Sequence, residues 1–298
     1  MCIDILNLLL PYWRGIDPAG PAVAAEFAGQ LRQLAAFVAV NETIVFTLPG
    51  FPCKSPSVNK VLGHLPDEGE RLSLTFLDRL CTAVGQVYAP GARLVICSDG
   101  HIFGDLIRVP DRHIDAYSNE LAAMIRYEGL QSLSIFDLRD VLDGVTYEEK
   151  RSIVHARYAP SVEELRAEMR DSEITRGLYR GITTFLVSDT VGFQGSRSAL
   201  QRECRKRAYG VIQRSRAWAS LIAEHHPRSV RLSIHPQPVG AEKFGIRLLD
   251  ARDNWVTPWH SAVLYHADGR PELVHRRCAE QQGMLVARNG RPSHYEIR

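Results

Sequence analysis

Residues 42–56 read ETIVFTLPGFPCKSP and contain the pattern that decides the fold class. The first five residues, ETIVF, form an apolar run that is typical of a buried strand. The proline-rich remainder excludes a regular element, because proline lacks the N–H group and fixes φ. Lys54, one of only five lysines in the chain, is therefore predicted to lie in a stiff loop at the end of a strand. Loops in such positions hold functional groups disproportionately often.

The alternation of helix and strand continues along the first half of the chain. The predicted helices cover about 22–40, 70–88 and 111–126, and the strands that follow them are ETIVF, ARLVICS and SLSIFDL. Repeated helix–strand units predict an α/β, Rossmann-like fold, in which helices flank a mostly parallel sheet on both faces. Folds of this class bind ligands at the carboxyl ends of their strands.

The second half of the chain has a different pattern. Residues from about 146 to 227 are mostly helical, with a capping box from Ser161 to Glu164 and a long basic helix from about Ser196 to His225. Short strands separated by Pro, Gly, Asp and Asn follow, and we expect them to pair antiparallel: VRLSIH, FGIRLL, SAVLYH, MLVAR and YEIR. We predict one catalytic domain over residues 1–298, with a soft internal boundary near residue 145.

Composition excludes several classes of protein. A chain of 298 residues, 45% hydrophobic and 23% charged, can bury a substantial core. The net charge of +2 argues against nucleic-acid binding. The sequence contains no run of about 18 apolar residues, so we expect no membrane span. The six cysteines lack paired spacing, which indicates reduced thiols and a cytoplasmic location. The acidic start of the chain does not resemble a signal peptide, so we expect no export.

A polar segment, CSDGHIFGD at residues 97–105, directly follows the predicted strand ARLVI. Asp99, His101 and Asp105 bring two carboxylates and an imidazole into one short loop, and this grouping can accept and return protons near neutral pH. The segment also resembles a metal site, although this spacing alone supplies no known ligand geometry. A structural turn at Asp99-Gly100 is a further alternative. The sequence leaves these interpretations open.

The basic helix supplies a pair of candidate anion binders. Arg207 and Arg214 are seven residues apart, so they share one face of the helix. Arginine binds phosphate or carboxylate groups through two parallel hydrogen bonds. Because a basic helical face is ordinarily solvated, most of the charges on this helix are expected to be exposed.

A second rigid loop follows the strand VRLSIH. Arg231 lies on this strand, His235 begins the sequence HPQP that ends it, and Lys243 precedes the next strand. Farther on, the segment WVTPWHSAVLY contains three side chains that can form one wall of a pocket for a planar substrate, or simply fill the core: Trp255, Trp259 and His260.

Taken together, these segments resemble a known family. The stretches LPGFPCKSPSVNKVLGHLPDEGE, ICSDGHIFGDLI, RAYGVIQRSRAWASLI, VRLSIHPQP followed by KFGI, and TPWHSAVL occur in the order and spacing of the isocyanide (isonitrile) synthases related to pyoverdine and dityrosine biosynthesis proteins. The resemblance covers most of the chain, from about Ile44 to Tyr265.

This resemblance implies an enzyme that converts the α-amino group of L-tyrosine or L-tryptophan into an isonitrile, with ribulose 5-phosphate as the carbon donor. It implies no metal and no organic cofactor, and the product would pass to a downstream tailoring enzyme such as an Fe(II)/2-oxoglutarate oxygenase. A sugar phosphate and a carboxylate need cationic partners, and condensation followed by carbon–carbon cleavage needs proton carriers. The candidate anion binders are Lys54, Arg207, Arg214, Arg231 and Lys243, and the candidate proton carriers are Asp99, His101, His235 and His260.

Two other functions are compatible with these residues. Another sugar-phosphate enzyme, of the aldolase or transferase type, would use the same cationic groups at the same edge of the sheet. A non-catalytic ligand-binding protein is the third possibility, although it has little use for several proton carriers. The sequence contains neither G-x-G-x-x-G nor G-x-x-x-x-G-K-[ST], which argues against a dinucleotide cofactor and against P-loop nucleotide hydrolysis.

Overall fold

The computed structural model of the chain describes residues 1–16, 23–251 and 256–297. Its main sheet has five parallel strands in the order β3-β2-β1-β4-β5. These strands are β1 (Ile44–Pro49), β2 (Ala92–Cys97), β3 (Leu133–Phe136), β4 (Val230–Ser233) and β5 (Phe244–Gly245). The α/β architecture predicted from the helix–strand alternation is therefore confirmed.

Helices cover both faces of this sheet. The helices, in chain order, are α1 (Cys2–Leu9), α2 (Ala28–Val38), α3 (Glu68–Val87), α4 (Gly100–Ile107), α5 (Asp111–Tyr127), α6 (Tyr147–Tyr158), α7 (Val162–Asp171), α8 (Glu173–Asp189), α9 (Arg197–His225) and α10 (Arg276–Glu280). Helices α1, α2, α3 and α5 bury apolar side chains in one core, and α6 and α9 bury theirs in a second core. Among the described residues, no helix is both long enough and apolar enough to cross a bilayer.

A second, mixed sheet is formed by the C-terminal residues. It has the order β7-β6-β9-β8, with β6 (Ala262–Tyr265), β7 (Pro271–Val274), β8 (Gly283–Arg288) and β9 (Arg291–Ile297). Strands β6 and β7 pair antiparallel, as do β8 and β9, whereas β6 and β9 pair parallel. The boundary proposed near residue 145 stays a prediction.

Side-chain caps fix where several of these helices begin. Asp67 accepts a hydrogen bond from the Gly69 N–H, and Glu70 accepts one from the Asp67 N–H, so α3 starts with a capping box. The predicted capping box from Ser161 to Glu164 starts α7 in the same way. These local contacts explain why helix starts are readable from sequence.

Two expectations about local structure and strand pairing were wrong. VRLSIH and FGIRLL do not join an antiparallel sheet, because β4 pairs in parallel with β1 and β5 pairs in parallel with β4. The helical segment α6–α9 is the crossover that returns the chain to β1, and a parallel pair requires such a long connection. The predicted loop after β2 is also largely helical, since α4 begins at Gly100.

The pattern reasoning missed several elements, among them α1, α10 and β7. Helix α1 was not recognised, and its buried side chains Ile5, Leu6 and Leu9 belong to the first core. Strand β7 was not recognised because its sequence, PELV, begins with proline and contains a buried charged residue, Glu272.

The chain reverses its direction across the sheet at β1. From β1 it proceeds to β2 and β3 on one side, and only later to β4 and β5 on the other. The reversal creates a crevice outside the carboxyl ends of β1 and β4, which is where open α/β sheets bind their ligands. The fold thus indicates where a functional site should be sought.

The loops after β1 and β2 pack tightly against each other at this end. The Ser98 hydroxyl donates a hydrogen bond of 2.9 Å to the Phe51 carbonyl. Phe51 has a positive φ of 54°, an uncommon conformation for a bulky residue. A Cβ added at Gly100 would lie 2.0 Å from the Pro52 carbonyl oxygen, so only glycine fits at this position.

We predict that Gly100→Ala destabilises the protein, because the new methyl group would overlap the Pro52 backbone. The expected loss is more than about 2 kcal/mol in the free energy of unfolding, measured in urea. Gly85→Ala in α3 is the control. Its Cβ would meet only the Gly91 Cα at 4.0 Å, so the higher helix propensity of alanine should leave stability unchanged or raised. Equal stability of Gly100→Ala and the wild type would contradict the tight packing.

Candidate active site

Three chain segments meet in the crevice at the carboxyl ends of β1 and β4. A Cβ added at Gly50, just after β1, would lie 3.1 Å from the Trp259 ring and 3.6 Å from the Ile234 side chain. The Ser55 N–H donates a hydrogen bond of 2.9 Å to the Trp259 carbonyl. The loop after β1, the loop after β4 and the segment around Trp259 are therefore in direct contact.

Two histidines line this crevice. His235 follows β4, and His260 ends a one-turn 3₁₀ helix, Pro258–His260. Burial among protein atoms lowers the pKa of each imidazole to about 4, and the cations Arg14 and Lys243 act in the same direction on His235. The His235 side chain is nevertheless partly exposed to solvent. Both imidazoles are therefore neutral at pH 7 and able to accept a proton.

Of the two tryptophans proposed for the pocket wall, one, Trp259, lies among the described residues. Trp259 is fully buried and packs against Phe51, with ring centroids 5.1 Å apart. It therefore supports the base of the crevice from inside the core. Trp255 lies outside the described residues.

Asp99 lies at the N-cap position of α4, next to the loop that follows β1. The residue is half-buried, and its Oδ1 is a buried atom that has no hydrogen-bond partner among the described residues. Burial raises the pKa of Asp99 to about 7. The carboxyl group can therefore exchange a proton near neutral pH. The Lys54 and Asp99 loops leave the same edge of the sheet, because β1 and β2 are parallel neighbours.

His101 lies in a different group of side chains. It is 3% exposed, stacks on Tyr147 at a centroid distance of 3.8 Å, and places its Nε2 3.1 Å from Asp115 Oδ1. The Tyr147 hydroxyl donates a hydrogen bond of 2.6 Å to the same carboxylate oxygen. Because residues two apart on a helix do not face each other, the helical start of α4 turns His101 away from Asp99. Burial lowers the pKa of His101.

Lys54 is buried with two carboxylates. Its Nζ lies 2.8 Å from Asp67 Oδ2, 2.8 Å from Glu70 Oε2 and 3.0 Å from the Pro258 carbonyl oxygen. Burial alone would lower the pKa of Lys54, but the two carboxylates raise it above its usual value. An ammonium has three N–H donors, and three protein oxygens surround this one. Anion binding by Lys54 stays a prediction, and it would require one of these contacts to open.

Arg207 and Arg214 lie on one face of α9, as their spacing predicted, and that face packs against α4. The Arg207 Nε donates a hydrogen bond of 2.7 Å to the Leu106 carbonyl. The Arg214 Nη1 donates one of 2.8 Å to the Ile102 carbonyl, and the guanidinium also pairs with Asp105. These arginines therefore hold α9 against α4 in the structure, and a shared bound anion stays a prediction.

Arg231 and Lys243 lie on the β4–β5 side of the crevice. Arg231 pairs with Glu242 at 3.0 Å. Lys243 is half-buried, and among residues 1–16, 23–251 and 256–297 no oxygen forms a hydrogen bond or ion pair with its Nζ. Burial, reinforced by the charge of Arg231, lowers the pKa of Lys243. Lys243 is thus a cation beside His235 that is available to an anionic ligand.

Sequence reasoning missed Asp189, at the end of α8. Its carboxylate accepts a hydrogen bond of 2.6 Å from the Ser55 hydroxyl and pairs with Lys60, so it ties α8 to the loop after β1. The electrostatic field of Asp189 also acts on His260. No motif marks this aspartate, because its partners lie more than 120 residues earlier in the chain. In the described part of the chain, no group of three or more His, Cys, Asp or Glu side chains is arranged to hold a metal ion.

Comparison with known proteins adds to this geometry. The family model described as pyoverdine/dityrosine biosynthesis protein matches residues 34–286. The chain belongs to this family. It shares 46% identity over 274 residues with an L-tyrosine isonitrile synthase of Pseudomonas aeruginosa, over 90% of this chain and 84% of that protein. It also shares 40% identity over 272 residues with an L-tryptophan isonitrile synthase of Fischerella ambigua, over 90% of this chain and 82% of that protein.

A solved structure of the family has the same fold. The crystal structure of the PvcA protein from Pseudomonas aeruginosa superimposes with a TM-score of 0.92 at 43% identity, and the match covers 99% of both chains. This fold therefore occurs in a solved structure of the family, and the relatives of this chain include named isonitrile synthases. An L-tyrosine isonitrile synthase of Xenorhabdus nematophila is 43% identical over 98% of this chain and 90% of its own length.

We predict that Lys54→Met lowers the free energy of unfolding by about 3–5 kcal/mol, because it leaves Asp67 and Glu70 buried without their cation. Urea unfolding measures the change. Lys206→Met, at an exposed position of α9, is the matched control and should change stability by less than about 0.5 kcal/mol. Similar stabilities of the two variants would contradict a structural role of the Lys54 ion cluster.

A second prediction concerns the pH dependence of stability at Asp99. The folded chain holds the Asp99 proton up to about pH 7, whereas the unfolded chain releases it near pH 4. The folded state thus binds more protons in this window, and the contribution of Asp99 to stability falls as pH rises through it. Asparagine cannot ionise, so Asp99→Asn does not lose this stability as pH rises. The Tm of Asp99→Asn minus the Tm of the wild type should therefore be about 2–6 °C more positive at pH 8 than at pH 5.

The control for this experiment is Asp171→Asn, which removes one exposed carboxylate at the end of α7. Thermal unfolding is followed for all three proteins at both pH values. A Tm difference between Asp99→Asn and the wild type that does not change with pH would contradict the raised pKa.

Proposed function

We propose that this chain is an isonitrile synthase that converts the α-amino group of L-tyrosine or L-tryptophan into an isonitrile, with ribulose 5-phosphate as the carbon donor. The main support is the set of residues at the crevice outside the carboxyl ends of β1 and β4: Asp99, the neutral His235 and His260, and Lys243. The chain also belongs to a family that includes synthases for both amino acids. Such a reaction breaks a carbon–carbon bond of the sugar, so we place the enzyme among the lyases.

The proposed chemistry assigns proton transfer to the neutral bases of the crevice. The α-ammonium group of the amino acid must lose a proton before its nitrogen can attack the ketone carbon. Asp99, whose pKa lies near 7, is the group best suited to accept that proton and to return protons in later steps, and the neutral imidazoles of His235 and His260 are the further candidates. His101 is too deeply enclosed by Tyr147 and Asp115 to be a strong candidate for contact with substrate.

Substrate binding is assigned to the cations of the β4–β5 side. The sugar phosphate and the amino-acid carboxylate each require a positive partner. We assign one of these anions to Lys243, because its ammonium is half-buried and forms no ion pair with a described residue. Arg231 can contribute by exchanging Glu242 for the ligand. We further propose that the enzyme uses no cofactor and that its isonitrile product passes to a tailoring enzyme such as an Fe(II)/2-oxoglutarate oxygenase.

Mass spectrometry of the products tests the reaction directly. Purified protein is incubated with ribulose 5-phosphate labelled with ¹³C at the ketone carbon and with either L-tyrosine or L-tryptophan. An isonitrile derivative of one amino acid, with the label in the isonitrile carbon, is the expected product. Consumption of the sugar phosphate without the amino acid would favour an aldolase or transferase. Binding of the sugar phosphate without turnover of either amino acid would favour a ligand-binding protein.

We predict that Lys243→Met raises the KM for one of the two substrates by roughly 10- to 100-fold, because a hydrogen bond from a charged group contributes about 1.5–3 kcal/mol. Steady-state kinetics with each substrate varied in turn identify which anion it binds. Lys206→Met, at an exposed lysine, is the matched control. If both KM values of Lys243→Met equal those of the wild type and the variant is folded, Lys243 does not bind substrate.

A further inference from the structure

The segment Thr257–His260 forms a rigid turn that fixes the orientation of His260. The Thr257 Oγ1 lies 2.9 Å from His260 Nδ1, and the His260 N–H donates a hydrogen bond of 3.0 Å to the Thr257 carbonyl. The Ser261 hydroxyl donates a further hydrogen bond of 2.7 Å to the same carbonyl. Pro258 occupies the first position of the 3₁₀ turn, where its fixed φ suits the helical conformation.

The loop after β1 holds the same turn from outside. Two consecutive residues of this loop bind two consecutive carbonyls of the turn, since Lys54 Nζ donates to the Pro258 carbonyl at 3.0 Å and the Ser55 N–H donates to the Trp259 carbonyl at 2.9 Å. The Phe185 ring packs edge-on against the His260 imidazole, with centroids 4.8 Å apart. The backbone of the turn and one side of the ring are therefore constrained.

The contact with Thr257 determines which ring nitrogen of His260 is available. The Nδ1 atom is occupied by the threonine hydroxyl, and in the described part of the chain no group forms a hydrogen bond with Nε2. The partner of one imidazole nitrogen sets the orientation and the protonation of the other. Thr257 itself is 4% exposed, so its hydroxyl does not exchange this contact for bulk water.

We propose that Thr257 is a positioning residue that holds the His260 imidazole with Nε2 directed to substrate. This inference rests on the proposed function, because it assumes that His260 moves a proton during the reaction. Without the hydroxyl, the ring can rotate about its Cβ–Cγ bond and place a carbon where Nε2 belongs. Small misplacements of a reacting group lower the rate of the chemical step more than they weaken substrate binding.

The test compares variants at position 257 that differ by the hydroxyl group. Thr257→Val keeps the shape and removes the hydroxyl, and the pair Thr257→Ser and Thr257→Ala makes the same comparison at a smaller size. We expect kcat to fall by roughly 10- to 100-fold in Thr257→Val and Thr257→Ala, with both KM values within about twofold of wild type. Thr257→Ser should recover kcat to within about threefold. Thr82→Val, at an exposed hydroxyl of α3, is the matched control.

A second readout does not depend on activity. In protein labelled with ¹⁵N-histidine, the ring resonances of His260 are assigned by their absence in His260→Gln. Loss of the Thr257 hydroxyl should shift the Nδ1 resonance in Thr257→Val and Thr257→Ala, while Thr257→Ser should resemble the wild type. If Thr257→Val does not fold, the Ser and Ala variants give the same comparison.

The outcomes separate this inference from the proposed function. An active enzyme in which the Val and Ala variants match the wild type in kcat and in the His260 resonances overturns the inference and leaves the function standing. Equal losses in the Ser and Ala variants also overturn it, because packing rather than the hydroxyl would then matter. If no isonitrile forms with either amino acid but the resonances shift as expected, the proposed function fails and the contact between Thr257 and His260 stands.

Discussion

The rest of the site depends on the contacts that the buried Lys54 ammonium group makes. This group joins the loop after β1, the first turn of α3 and the turn before His260, because its three nearest oxygens come from Asp67, Glu70 and Pro258. Asp67 and Glu70 also form the capping box of α3, so the residues that start the helix also neutralise the lysine. A buried charge is costly unless it is paired, and here the pairing links three segments that are distant in sequence.

The position of the crevice follows from the strand order rather than from any single motif. Because β1 lies between β2 and β4, the loops after these three strands share one edge and bring Asp99 and His235 to the same side of the sheet. The second polar group joins the buried His101 of α4 to Asp115 of α5 and Tyr147 of α6. The molecule thus separates groups that can meet a substrate from groups that connect helices.

The sequence predicted the elements whose cause is local. Apolar periodicity located α3, and helix-start signals and composition located α5, α7 and α9, because these patterns depend on neighbouring residues. It did not predict that β4 pairs with β1, since the long helical crossover gives no indication of which strand it returns to. For the site, residue type identified Asp99, His235, His260 and Lys243 as candidates. The shifts in their pKa values and the contacts of Lys54 with Asp67 and Glu70 depend on partners that no local pattern specifies.

The late return of β4 has a consequence for how the protein is made. Strand β1 can pair with β2 once both have left the ribosome, but its other edge can pair with β4 only after helices α6 to α9 have been synthesised. During that interval β1, a largely apolar strand, has one unpaired row of backbone groups, which is a template for association with another chain. Pairing between distant parallel strands is intrinsically slow. The nascent chain should therefore be most vulnerable to aggregation, and most dependent on chaperones, until the segment around Val230 has emerged.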